Sequence, residues 1–208
     1  TFCEDKVIKI LANKDALYNA DGNPQLTSTN KVLGQAVPFV GDWGISQNPE
    51  SFGAYAYRAY FVDKNRGAVL RLSRDGLTPI SENGMRDFFK DELPKSTLIL
   101  GSYDGNKGLY NLTLNNQTVS FDEKVNGFPS FKSFIPEEAQ SLNNKYYTIK
   151  NGDLWVHTNE KRNRFYDTST DEDDATKYYE SSVTTIINDD ADTIKGFKTI
   201  NYSGSKDT

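Results

Sequence analysis

The chain has 208 residues, with 24 basic and 29 acidic side chains for a net charge of -5. That balance gives no field to attract a phosphate backbone or an anionic lipid surface, so nucleic acid is excluded as a primary partner. No apolar run approaches the roughly 18 residues that span a bilayer, and Thr1 to Ile10 carries Glu4, Asp5, Lys6 and Lys9 where a leader peptide would be apolar. Cys3 is the single cysteine, so it closes no internal disulfide and has no Cys-x-x-Cys partner for zinc; a small packed residue is expected there. Only 36% of residues are hydrophobic, while Asn is abundant at 19 and Tyr plus Phe number 24, a mixture suited to strands and turns. The first residue is Thr1 and the last are Lys206-Asp207-Thr208, with no capping logic at either end, which suggests a piece of a longer polypeptide.

Asn13 to Leu17 has the look of a short helical turn, ended by Asp21-Gly22-Asn23-Pro24. Gln25 to Phe52, broken by Gly34, Pro38, Gly41, Gly44 and Pro49, has no clean period and is expected to be a long connection around Trp43. Residues 1–53 are therefore expected to connect and residues 54–208 to carry repeated β-meanders, with no further internal boundary. Tyr57–Val62, Ala68–Leu72 and Leu77–Ile80 form the first meander, its turns being Asp63-Lys64-Asn65-Arg66-Gly67 and Arg74-Asp75-Gly76.

One short amphipathic helix is expected near 82–93. Ser81 would cap it, Met85, Phe88 and Phe89 share a face, and Pro94 follows its end. A second meander follows as Leu98–Tyr103, Leu109–Leu114 and Thr118–Phe121, and a third as Tyr146–Ile149 and Leu154–His157 around Lys150-Asn151-Gly152-Asp153. The chain then turns acidic from Asp167 to Glu180 before strand patterns return at Val183–Ile187 and Gly196–Ile200.

The turn Asp104-Gly105-Asn106-Lys107-Gly108 repeats the Asp63 turn as D-x-N-[RK]-G, 41 residues on, with Asn and Gly expected to supply the positive φ angles. A period near 40 to 45 residues matches a four-stranded propeller blade, and a meander too small to bury its own apolar face needs neighbours to cover it. The fold class is therefore all-β, with propeller-like repeated meanders; a β-sandwich is the alternative, in which the spacing of the turns is chance.

Reagents for catalysis are scarce. H-E-x-x-H, G-x-S-x-G, Walker and G-x-G-x-x-G sequences are all missing. His157 is the only imidazole; it alternates with Trp155, so both face the same way, and with no nucleophile beside it packing is its expected role. Nothing among the 29 acids selects a glycosidase pair. Asp167 with Asp171-Glu172-Asp173-Asp174 departs from the order of a calcium loop and is expected to be a solvated insertion, paired locally with the basic knot Lys161, Arg162 and Arg164. The sequons at Asn111, Asn116 and Asn201 are at chance frequency. Tyr55, Tyr57, Tyr60, Phe61, Tyr146, Tyr147 and Trp155 offer either a sugar-stacking surface or, the preferred reading, packing between sheets. No catalytic, cofactor-binding or metal-binding residue is assigned, and the chain is read as a non-enzyme.

Particular strings carry a resemblance. Ala12-Asn13-Lys14-Asp15-Ala16-Leu17-Tyr18-Asn19-Ala20-Asp21-Gly22-Asn23-Pro24, Tyr57 to Ser73 (YRAYFVDKNRGAVLRLS), Phe128 to Pro136, Tyr146 to His157, Arg162 to Tyr166, Ile187-Asn188-Asp189 and Lys195 to Tyr202 resemble large tail-associated virion structural proteins of tailed bacteriophages. These include proteins of marine contractile-tailed phages and the muzzle protein of crAss-like phages. The resemblance implies a fragment of a longer virion protein, located in the tail and serving as a nozzle-like or ring component. Its partners would be other virion tail proteins, met through subunit interfaces in a homo-oligomeric ring, with no catalytic residue carried over. Two alternatives stay open: a host-surface glycan-binding module using Trp43, Trp155 or exposed Tyr residues, and a propeller enzyme that degrades glycans with an unidentified acid pair.

Overall fold

Within each sheet of the computed structural model, which describes residues 1–18, 21–22, 24–160, 163–167, 179–184, 192–196 and 199, consecutive strands pair with one another. Four antiparallel sheets result, none closed on itself. β1 (Ile8–Tyr18) and β2 (Pro24–Pro38) form a two-stranded ribbon. The first sheet holds β3 (Gly53–Tyr55), β4 (Arg58–Asp63), β5 (Ala68–Ser73) and β6 (Gly76–Pro79). The second holds β7 (Leu100–Asp104), β8 (Leu109–Thr113), β9 (Thr118–Asp122) and β10 (Gly127–Lys132), and the third β11 (Glu138–Leu142), β12 (Lys145–Lys150) and β13 (Asp153–Val156). The chain is all-β, as its strand spacing implies.

The first sheet is buried on both faces, which is why Tyr60-Phe61-Val62-Asp63 is a continuous buried run. Tyr60, Val62 and Val69 look toward the second sheet, where they meet Tyr110, Leu112, Val119 and Phe121. Phe61 and Leu70, a cross-strand pair, look the other way and are covered by Val7 and Ile45, with Phe2, Phe39 and Trp43 packed around them. The second sheet alternates in kind: Tyr110 and Leu112 face the first sheet, while Asn111 and Thr113 face the third.

The first strands of the three meanders lie together. β3 sits beside β7 and β7 beside β11, around a hollow of about 500 Å³ lined by Gly53, Tyr55, Tyr103, Gly105, Gln140 and Asn144. Tyr55 stacks on Tyr103 at 4.4 Å, and Ser141 Oγ accepts the Gly105 N–H and donates to the Tyr103 carbonyl. Gly101 is required at this junction, because a methyl there would fall onto the Ser51 carbonyl oxygen, which already accepts the Tyr110 hydroxyl at 2.7 Å.

Several expectations are corrected. Asn13 to Leu17 is strand, not helix: five residues are too few to nucleate a helix, and Asn13 has a φ of 54°. Pro24–Pro38, expected to be connection, is the second strand of the ribbon. The helix α1 is shorter than expected, Arg86–Glu92. Ser81 belongs instead to a preceding 3-10 turn, Ile80–Glu82, and meets the helix only through its carbonyl, which accepts the Met85 N–H.

The two D-x-N-[RK]-G turns do not occupy equivalent places. Asp63–Gly67 joins the second and third strands of its sheet, Asp104–Gly108 the first and second of its own, so their 41-residue spacing is not the period of the sheets. Within each turn only Gly67 (φ 64°) and Gly108 (φ 72°) adopt positive φ; the motif works through its Asp, whose carboxylate accepts the backbone N–H groups that follow it. The abundant Asn is used at other bends, with positive φ at Asn126, Asn143, Asn144 and Asn151. The acidic run 171–174, Lys161, Arg162, Asn201 and most of the expected strands at 183–187 and 196–200 lie outside the described residues.

Candidate functional site

Sheets joined at their first strands diverge toward their last, and the two wedges so formed are filled differently. Between the first and second sheets the wedge takes α1. Phe89, with no exposed surface, packs against Phe128, and Phe88 lies edge-on to Phe131 at 5.6 Å, both partners belonging to β10. Between the second and third sheets no helix enters among the described residues, and a cavity of about 290 Å³ remains. Its floor is Asn111 on β8 and Lys132 on β10; the facing wall is Tyr146, Trp155 and His157; Phe134 and the segment Asn163–Asp167 close the sides.

Hydrogen bonds join aromatic contacts in holding this layer, in which Phe134 lies 4.7 Å from the His157 ring and 5.3 Å from Phe165. Ser102 Oγ and Tyr146 Oη are 2.7 Å apart, Ser120 Oγ donates to Asn111 Oδ1 at 2.7 Å, and Thr118 Oγ1 donates to the Phe134 carbonyl at 2.6 Å. Burial pushes the Tyr146 phenol up to about 12, with Ser102 and the nearby Asn111 amide acting the other way. Lys132 Nζ donates to Asn111 Oδ1 at 3.2 Å and lies 5.8 Å from the centre of the Phe134 ring. Burial, reinforced by Lys107, lowers this amine to about 8.

His157 and Trp155 face the same cavity, as their alternation implied. Desolvation lowers the imidazole to about 4, so it is neutral at pH 7; its Nε2 lies 2.9 Å from Thr148 Oγ1, which also accepts the Tyr166 hydroxyl at 3.2 Å. Thr148 has no exposed surface, so this hydroxyl is a structural partner out of a substrate's reach. Arg164 pairs with Asp167 at 3.4 Å, which places part of the expected basic and acidic pairing at the cavity's rim.

The other singled-out residues are dispersed. Trp43 packs at the back of the first sheet, Cys3 is half-buried, and Tyr60 stacks on Tyr110 at 4.8 Å. Tyr57 is exposed beside the short β3–β4 turn. Asn111 is wholly enclosed, so its sequon is closed to modification in the folded chain, whereas Asn116 is exposed. Among the described residues no three His, Cys, Asp or Glu side chains gather at a metal-binding spacing, and no helix is long and apolar enough to cross a membrane.

One surface was missed in the sequence. The outer face of the third sheet presents Leu142, Ile149, Leu154 and Val156 to solvent, at 69%, 38%, 69% and 47% exposure, around the half-buried Tyr147. Ile149–Leu154 and Tyr147–Val156 are direct cross-strand pairs, so the patch is continuous. Its signal was available: β12 and β13 are apolar at both odd and even positions, the pattern of a strand covered on two faces.

A family model described as the crassvirus muzzle protein matches residues 26–152, a stretch that runs from β2 through the first two meanders to the β12–β13 turn of the third. The chain belongs to this family. Membership makes it a structural component of the virion, located at the tail, and accords with the resemblance carried by its sequence strings. Among curated proteins, none matches the chain.

Proposed function

We propose that the chain is a non-enzymatic nozzle component of the phage tail that works by presenting rigid β-surfaces to neighbouring subunits. Family membership carries this reading. Its three meanders would be consecutive blades of a propeller-like arc: their first strands line one hollow, and adjacent sheets cover one another face to face. The apolar outer face of the third sheet would be the surface on which the next unit stacks, in a homo-oligomeric ring or against another tail protein.

The test is to supply the Ile149→Lys, Leu154→Lys double variant during infection in place of the native chain, with gold-labelled antibody against it on purified particles. Native chain should label the tail end, and the variant, folded by circular dichroism, should be lost from particles. Wild-type labelling by the variant would refute the role of this face, and native label away from the tail would refute the nozzle assignment.

A further inference from the structure

The cavity between the second and third sheets holds hydrogen-bond donors that the described residues leave wholly or partly unmet. Asn111 is wholly enclosed, and its Oδ1 already accepts Ser120 Oγ and Lys132 Nζ. Those two bonds fix the orientation of the amide, since turning it would set Nδ2 against an ammonium that has no lone pair to offer. Nδ2 is thereby turned toward the Tyr146 phenol, and it is buried without a well-formed hydrogen bond to any described acceptor. Trp155 Nε1, on the opposite wall and edge-on to Tyr166, is buried with no acceptor among the described residues. Lys132 is the third: desolvated, bonded to a neutral amide, and without an ion pair among the described residues.

Two acids line the cavity, Asp104 and Asp167, and the charge of Asp104 favours the Lys132 ammonium. Asp104 Oδ1 accepts the N–H groups of Asn106 and Lys107 in its own turn, and Asp167 pairs with Arg164. Lys107 adds a second positive charge, and His157 is neutral. The cavity therefore asks for an acceptor-only group with negative charge, and a carboxylate offers two oxygens and no donor. Aromatic rings make up the walls, with Phe134, Tyr146, Phe165 and Tyr166 beside Trp155 and His157, surfaces that suit the C–H faces of a sugar ring. At about 290 Å³ the space stands just below the roughly 300–1,000 Å³ of ligand pockets, room for one terminal unit rather than an extended peptide.

We propose that this cavity binds the carboxylate-bearing unit of an acidic saccharide, with Asn111, Lys132 and Trp155 donating to the carboxylate. This goes beyond the structural role, and neither depends on the other. The full chain is titrated, by ligand-observed NMR, with glucuronate, galacturonate, methyl glucoside, acetate and a short Asp/Glu peptide. Saturable binding of a uronate is expected, with the neutral glucoside and acetate much weaker. Trp155→Phe, which keeps the ring and removes the donor, and Lys132→Gln should each weaken it by about tenfold or more, as loss of a hydrogen bond to a charge implies. Unchanged uronate binding by the Trp155→Phe chain, equal binding of the neutral glucoside, stronger binding of the peptide, or no saturable uronate binding would each overturn the proposal.

Discussion

Asp63 is the most demanding carboxylate in the structure, and its replacement gives a sharp test of how the N-terminal segment is held. The side chain has no exposed surface and accepts four hydrogen bonds: from Gly44 N at 3.1 Å, Ser46 Oγ at 3.1 Å, Arg66 N at 3.1 Å and Arg66 Nη1 at 2.9 Å. In the Asp63→Ala chain the guanidinium still has Asp5 at 3.3 Å and water, since Arg66 is partly exposed. Gly44 N and Ser46 Oγ have no such recourse, and each buried donor left unmet costs about 1–3 kcal/mol. The two together come to about 2–6 kcal/mol, and relief of the carboxylate's own desolvation offsets part of this, which leaves about 2–4 kcal/mol. Asp63→Asn should cost nearly as much, because its amide sets N–H against N–H at Gly44 or Arg66.

The assay is urea unfolding, read as a lower midpoint at unchanged slope. Amide exchange over residues 39–48 provides a second readout, because Gly44 N–H should lose its protection. An Asp63→Asn chain within about 1 kcal/mol of the parent would refute the account, since it would mean that the four bonds merely accompany packing that Phe61 and Leu70 supply alone.

Gly101→Ala places a methyl against the Ser51 carbonyl and the Tyr110 hydroxyl, so β7 must part from the Pro49–Ser51 turn; a melting temperature lower by about 3–10 °C is expected by calorimetry, and an unchanged one would show that the junction yields freely. For His157 the folded value of about 4 lies below the ordinary 6.5, so the unfolded chain binds more protons between them. Stability from this group is complete above pH 6.5 and is lost as pH falls toward 4, by about 2–3 kcal/mol at most. Urea midpoints at pH 7 and pH 4.5 should differ less for the His157→Gln chain than for the parent, and equal differences would show the imidazole to be solvated.

The sequence made the meanders legible because short apolar runs were punctuated by turn residues: β4, β5, β8 and β9 begin and end within a residue or so of their expected bounds. The ribbon was not legible. A two-stranded sheet standing in solvent has no inward face, so Leu26, Val32 and Leu33 are exposed and no alternation marks the strands. The repeated turn misled for a different reason: an Asp that caps a tight hairpin is a local solution, free to recur at any hairpin of a sheet. Trp155 and His157 could be placed on one face from their spacing, but the cavity they line could not be foreseen. Asn111 and Lys132 come from non-adjacent strands, and Asn111 stood out in the sequence only as a sequon.

The two layers between the sheets should also part at different rates. The first is sealed by stacked tyrosines and by the phenylalanines of α1 and β10, whose burial has no substitute in water. The second has the Phe134 cluster but relies also on hydroxyl and amide groups such as Ser102, Tyr146, Thr118 and Ser120, each of which finds water an almost equal partner once the layer opens. Local opening should therefore begin at the third sheet, with the first two remaining a unit. The chain thus carries a built-in order of disassembly, and its most readily released piece is also the one that bears the exposed apolar face.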